Sequence, residues 1–328
     1  MSSVPNMINK LSLQNFRNYT KREFEFGQKT LIVGNNGAGK SNIIEAIYML
    51  AIGKSFRADY DREMIKYNQE FSIIKTESLQ ITITDRKKFE VNGIPRRMAD
   101  FVGNLRAVLF CPQDIDLVIG SPGGRRRYLD FVISQMNREY RRCLVSYEKG
   151  LRQRNKLLSL IRDGLANRSQ LYFWDKLLIK NGDYISLKRF EYLSHLKDEM
   201  HEAVYDRSLI TEERLKQYEV EEVAAATTLV GPHRDDFLIN FNRRDISKYG
   251  SRGEQRMTIL WLKKHEIEFL TLKNEKPIFL LDDIFSELDA KHRGEVLVMI
   301  TGGQTIMTSC EFDSLRPWED IRINLALS

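Results

Sequence analysis

Two kinds of hydrophobic pattern divide the chain. Toward both ends, short apolar and β-branched runs are separated by turn residues; through the middle, long charged stretches carry apolar positions at helical spacing. Residues 8–16 alternate as a strand does, and residues 24–26 and 29–33 follow as further strands. After 29–33 comes a glycine-rich turn, then residues 42–50 with apolar positions spaced as in a helix. Residues 72–76 and 79–84 are β-branched and can pair, and Asn92-Gly93 marks a hairpin turn. Residues 125–162 read as a helix, 164–169 as a break, and 170–205 as a second helix with a candidate interruption at Asn181-Gly182. A helix of about 36 residues would extend roughly 54 Å. From residue 220 the α/β pattern returns: strands at 237–241, 277–281 and 304–308, and a helix at 254–272. The prediction is an α/β protein split by an antiparallel helical arm. Its parts are the N-terminal part of the α/β unit at 1–123, the arm at 124–219 and the C-terminal part at 220–328.

Composition narrows the classes. Hydrophobic residues make up 42% and charged residues 29% of 328, the balance of a folded soluble domain and too apolar for disorder. No apolar run has the length of a membrane span, and the N-terminus shows no secretion pattern. Cys111, Cys143 and Cys310 are scattered, without metal-site or disulfide spacing. A reducing cytoplasm is the expected location. The net charge of +6 is small, but its distribution is uneven. Residues 121–170 hold twelve basic and four acidic residues, and residues 191–222 hold four basic and ten acidic. Two readings are open: a phosphate-contacting surface, or neighbouring helices that attract one another.

The chemistry concentrates in three segments. Gly34-Asn35-Asn36-Gly37-Ala38-Gly39-Lys40-Ser41, followed by Asn42, fits the phosphate-loop pattern between a buried strand and a helix. The glycines let the backbone approach an anion, Lys40 supplies charge for the β- and γ-phosphates, and the Ser41 hydroxyl suits Mg²⁺. Residues 278–283 form an apolar strand ending in Asp282 and Asp283. With a phosphate loop upstream, Asp282 is expected to hold Mg²⁺ and Asp283 to orient or deprotonate the attacking water. Ser251-Arg252-Gly253-Glu254-Gln255-Arg256 opens the predicted helix at 254 and offers a hydroxyl and free N–H groups to an anion. Because the loop already covers one side of a triphosphate, this second segment is read as reaching nucleotide held by another copy.

The order of motifs resembles ABC-type P-loop ATPase heads of the SMC group, and within it the RecF family. The resemblance rests on Asn15-Phe16-Arg17-Asn18-Tyr19, the loop from Gly34 to Asn42, Gly120-Ser121-Pro122 leading into Arg125-Arg126-Arg127-Tyr128-Leu129-Asp130, Gly231-Pro232-His233-Arg234-Asp235-Asp236, Ser251 to Arg256, and Leu280 to Asp289. It implies an ABC-type ATPase head with a helical insertion. It further implies ATP and Mg²⁺ as cofactors, slow hydrolysis, an ATP-dependent homodimer, and DNA binding at gaps and double-strand/single-strand junctions. The implied partners are RecR, RecO and the RecA recombinase. In this reading Arg17 lies near the phosphates, and Gln113, after an apolar strand, senses Mg²⁺ and water. Ser251, Gly253, Glu254 and Gln255 act across the dimer, and Asp289 lies at its seam. Family members often carry an acid where Gln113 stands. Thr308, Ser309 and Cys310 stand where many ABC heads have a histidine switch. Three other classes share part of the pattern. A transporter ATPase would not need the polarised insertion, an SMC-like organiser needs longer arms, and a small-molecule kinase would lack the Ser251 segment. His233 is read as a hydrogen-bonded loop residue, Trp174, Trp261 and Trp318 as core or interface, Cys111 as packing, and Arg125 to Arg127 as structure or solvated face.

Overall fold

The computed structural model describes residues 6–273, 275–286, 288–310 and 319–325; Glu287 and Trp318 lie outside them. The chain divides into two compact units, one running through Asp114 and resuming at Ile259, the other spanning Ile115–Thr258.

The first unit contains two sheets. Strands β1 (Lys10–Phe16), β2 (Tyr19–Glu25), β4 (Ser72–Lys75), β5 (Leu79–Ile83), β6 (Lys87–Val91) and β7 (Ile94–Arg96) form an antiparallel sheet in the order β2-β1-β4-β5-β6-β7. The second sheet is parallel, in the order β14-β3-β13-β12-β8, from β3 (Lys29–Gly34), β8 (Ala107–Phe110), β12 (Ile278–Asp282), β13 (Thr305–Ser309) and β14 (Ile321–Leu325). Strands β8, β12 and β13 are buried at every position, which is why they read as continuous apolar runs and not as alternation. Helix α1 (Lys40–Ile52) is buried from Ile43 to its end, so it too is apolar on nearly all sides. Two further helices, α2 (Met98–Phe101) and α11 (Ala290–Met299), complete this unit.

The second unit begins with α3 (Asp116–Ile119), α4 (Pro122–Met136), α5 (Arg138–Arg162) and α6 (Tyr172–Ser194). It continues with β9 (His201–Asp206), α7 (Glu212–Gln217), α8 (Glu219–Ala225), β10 (Asp236–Phe241), β11 (Arg244–Asp245) and α9 (Ile246–Tyr249). Helix α10 (Arg252–Leu270) starts here and runs past the boundary between the units. The contacts Arg189–Tyr140, Gly182–Tyr147, Gly150–Leu178 and Asp175–Arg154 show α5 and α6 packing antiparallel, since residue numbers rise along one helix as they fall along the other.

Several expectations change. The predicted helix over 125–162 is two helices. Asn137 leaves helical geometry at φ −119° and its side chain accepts the Tyr140 N–H, capping α5. Nor does the second helix reach 205: it ends at Ser194, and residues 201–206 form β9, paired antiparallel with β10. At 25 and 23 residues, α5 and α6 extend about 37 and 34 Å, well short of 54 Å. There is no interruption at Asn181-Gly182, because Gly182 lets Tyr147, Ile210 and Pro232 approach α6 closely. The compact unit also runs wider than the 124–219 insertion, because β9 pairs with β10 and the arm's arginines bind Asp235 and Asp236.

The charge polarity is largely internal pairing. Arg154, 3% exposed, binds Glu222 at 2.7 Å and Asp175 at 2.7 Å, and Arg168 binds Glu219 at 2.8 Å. Arg189 reaches Asp130 at 2.8 Å, Asp235 at 3.0 Å and the Pro232 carbonyl at 2.7 Å. Removing one partner of such a buried pair strands a charge, at a cost of roughly 3–5 kcal/mol. Arg125 makes a two-point bond to Asp236 at 2.7 and 2.8 Å, Arg126 donates to the Asp235 carbonyl, and Arg127 lies over the Phe131 ring. Tyr205 and the Ser208 N–H also bond Asp235. His233 is held on both nitrogens, Nδ1 by the Tyr147 hydroxyl at 2.8 Å and Nε2 by the Thr228 carbonyl at 2.9 Å. A carbonyl only accepts, so Nε2 carries the proton and Nδ1 accepts from tyrosine. The segment from Gly231 to Asp236 therefore ties the arm helices to β9 and β10. Trp261 and Cys111 are buried, and Trp174 is half-buried beside Phe173.

Candidate nucleotide site

The parallel sheet brings the candidate residues to one edge. Register pairs Thr308 with both Asp282 and Ile32, and Leu281 with Phe110, so β3, β13, β12 and β8 end side by side. From those carboxyl ends emerge the phosphate loop, Cys310, the acids and Gln113, the edge where α/β sheets bind ligands.

The loop is held from behind. Gly39, at φ 97°, precedes the first residue of α1, and a Cβ there would come within 2.7 Å of the Asn18 amide and the Tyr19 hydroxyl. Tyr19 donates to the Gly39 carbonyl, and Asn18 accepts from Asn42 at 2.9 Å. Burial pushes the Tyr19 hydroxyl up to about 12, so it stays a donor at neutral pH. Lys40 is 7% exposed, and its ammonium donates to the carbonyls of Gly34 (2.7 Å) and Asn35 (3.1 Å) and to the Cys310 thiol (3.2 Å). Arg17 is engaged by the carboxylate of Glu45 on α1 at 2.6 and 2.9 Å and by the Glu63 carbonyl. In this arrangement it braces the loop's helix.

Ser41 and Asp282 face each other: the hydroxyl donates to Asp282 Oδ1 at 2.8 Å. Thr308 donates to the same oxygen at 2.9 Å and accepts the Asp283 N–H at 2.9 Å. That second bond fixes Asp283 in the left-handed region, φ 52°, where a side chain is strained and turned out of the strand direction. Gln113 is exposed on the 3₁₀ turn Pro112–Ile115. Its neighbour Asp114 accepts from the Cys111 N–H at 2.9 Å and from Lys263 at 3.1 Å, which holds the turn in place. Burial would draw the Lys263 ammonium down, but Asp114 and Glu266 outweigh it and keep it charged. Among the described residues no cluster of three or more His, Cys, Asp or Glu could hold a metal alone. A hydroxyl and a carboxylate that leave the remaining oxygens to phosphate and water do suit Mg²⁺.

In the second unit, Ser251 and Glu254 cap α10 reciprocally. The Ser251 N–H donates to the Glu254 carboxylate at 2.7 Å, and the Ser251 hydroxyl accepts the Glu254 N–H at 3.3 Å. The bond from the Ser251 N–H holds the Glu254 carboxyl below its usual range. Gln255 donates to the Ile246 carbonyl at 3.4 Å. Gly253 is exposed, and a Cβ placed on it would meet nothing within 4 Å. Asp289 caps α11 by accepting the His292 N–H.

Residues 7–100 match the family described as the RecF/RecN/SMC N terminal domain. The DNA replication and repair protein RecF of Lachnoclostridium phytofermentans is 35% identical over 332 residues, covering 92% of each chain. That of Bacillus cereus is 36% identical over 348 residues, 94% of this chain and 93% of the relative. The chain belongs to the RecF family. Among solved structures, one of the recombination mediator protein RecF with ATP, in the RecFOR pathway, aligns with a TM-score of 0.86. It covers 94% of this chain and 92% of the other at 31% identity. An Smc head domain with an extended coiled coil from Pyrococcus furiosus aligns at a TM-score of 0.51 and 18% identity, over 98% and 94% of the two chains, a likeness of fold alone. The RecF-family fold here is an ABC-type ATPase head with a helical insertion.

Sequence reasoning missed Glu45 and assigned no part to Thr308 beyond the absent histidine. It placed Asn18 and Tyr19 only in a motif. The available signals were a buried-type helix carrying one acid, and a threonine ending an otherwise apolar strand.

Proposed function

We propose that this RecF-family chain is an ATP-dependent DNA-binding protein of recombinational repair and replication-gap processing, whose dimer closes around two shared nucleotides. The observation that carries this is Gly253. No neighbour in its own chain requires a glycine there, and a close approach by a second copy's triphosphate does. Residues Gly34 to Asn42 hold ATP in cis, and Ser251, Gly253 and Gln255 meet it from the partner copy, with Glu254 keeping the Ser251 turn in shape. Mg²⁺ would be held by Ser41 and Asp282, with Gln113 beside it, and would neutralise charge on the β- and γ-phosphates. Asp283 orients or deprotonates the attacking water, and slow hydrolysis reopens the dimer.

DNA contact is supported by one face of α5. Arg138, Arg142, Lys149, Arg152 and Lys156 are all exposed and recur at helical intervals over about 27 Å. Such a row suits the phosphates of a duplex or of a gap's edge, and binding should weaken steeply with salt. RecR and RecO are the proposed partners, with loading of RecA at gaps as the outcome.

Solution mass with ATP and Mg²⁺, with ADP, and without nucleotide tests the core of this reading. ATP should double the mass of the wild type, and Ser251→Arg should bind ATP yet remain single. A Ser251→Arg protein that doubles normally would overturn the shared site.

A further inference from the structure

The residue following β13 does something the motifs do not assign. Cys310 stands where the resemblance leads one to look for a histidine, and its thiol touches three parts of the nucleotide site. The Lys40 ammonium donates to Sγ at 3.2 Å, the thiol donates to Asn36 Oδ1 at 2.9 Å, and Asp283 Oδ2 lies 3.9 Å away. These are the cation for the terminal phosphates, a side chain of the loop itself, and the acid assigned to the attacking water. Cys310 is half-buried, whereas Cys111 and Cys143 are buried. Its position is set by β13, in which Thr308, two residues earlier, already pins Asp282 and Asp283. One strand end therefore carries both the hydroxyl that orients the acids and the thiol that links them to the loop.

We propose that Cys310 is a positioning residue of the ATPase centre, holding Asn36 and Lys40 in register with Asp283. The inference rests on the nucleotide reading above. A thiol is a weak hydrogen-bond donor and acceptor, so it relays position without fixing the lysine as a carboxylate would. Its contribution falls on the step in which loop and acid must act together and not on the grip on diphosphate, which the loop's backbone and the ammonium supply.

The test combines two variants with a labelling measurement. In Cys310→Ala, kcat for ATP hydrolysis should fall about three- to tenfold, the size expected when one neutral hydrogen-bond relay is lost. Affinity for a fluorescent ADP should stay within about twofold of wild type. Cys310→Ser restores a donor and acceptor at the same atom and should return kcat to within about twofold. Equal losses of kcat and ADP affinity in both variants would reduce the thiol to packing and overturn the proposal, as would an unchanged kcat in Cys310→Ala. Separately, iodoacetamide labelling of the wild type, read by peptide mass, should modify Cys310 ahead of Cys111 and Cys143. Saturating ATPγS should slow that modification at least about tenfold, because the phosphates cover the thiol. Labelling at an unchanged rate, with ATPγS bound by fluorescence displacement, would remove Cys310 from the site. A wild type that binds no nucleotide at all would instead sink the function reading on which the proposal stands.

Discussion

The two segments assigned to anions both pair glycine with serine at a helix start, yet the chain builds them in opposite ways. Around Gly39 and Lys40 everything is supported from within: Asn18 and Tyr19 behind the glycine, two carbonyls and a thiol on the lysine, Glu45 and Arg17 on the helix beyond. Around Gly253 the chain supplies only the reciprocal cap of Ser251 and Glu254, and the glycine's surroundings are open. The first segment is a finished half of a site. The second has a shape that its own unit holds but does not require. The proposal of a site shared between two copies rests on that difference.

The comparison can be broken most forcefully at Lys40. Lys40→Ala should lower ATP hydrolysis by about 10³-fold, the upper range for removing a charged group aimed at developing charge. Retention of hydrolysis within tenfold would take the loop out of the chemistry. Acid should act next, on the second unit through His233. Burial pulls the His233 ring down to about 4, from 6.5. The unfolded chain takes up the proton first. The stability from the neutral ring is therefore complete above 6.5 and is lost as pH falls through the window to about 4. The loss should reach about 3 kcal/mol at the lower end. Urea unfolding at several pH values should show this slope in wild type and a flatter one in His233→Gln; identical slopes would contradict it.

The glycines give a direct contrast. Gly39→Ala forces a side chain into positive φ against the Asn18 amide, and should cost about 2 kcal/mol together with nucleotide affinity. Gly253→Ala should leave stability within about 0.5 kcal/mol and ATP binding intact while weakening the ATP-induced dimer. Equal destabilisation by both would erase the distinction between a self-supported and a shared segment. Ser251→Ala should cost about 1 kcal/mol, from the lost cap at the start of α10. Hydrogen exchange at the first turn of that helix should detect it. No change there would mean that the cap is idle.

Much of the architecture was legible because it is local. The strand–loop–helix at 29–52 announces itself in consecutive residues, as does the strand that ends in Asp282 and Asp283. Boundaries inside the helical region were harder. Residues 201–206 alternate weakly and follow a long helical pattern; only pairing with β10 makes them a strand. Asn137 lies in a charged run where a capping asparagine looks like any polar surface residue. The basic surplus at 121–170 had two readings, and which arginines face solvent depends on where Glu222, Asp235 and Asp236 arrive.

By itself, the sequence determined the phosphate loop, the acidic strand end, the Ser251 segment, the α/β pattern with its helical insertion and the family. Each depends on residue types at short spacing, which steric and hydrogen-bonding preferences convert directly into local shape. Tertiary structure alone decided that Arg17 grips Glu45, that Thr308 orients both acids, that Arg125 and Arg189 serve the fold, and that Cys310 touches Lys40. Those partners are 25 to 270 residues apart. No local preference encodes such distances, and only the parallel register of β3, β13 and β12 and the packing of the arm helices bring them together.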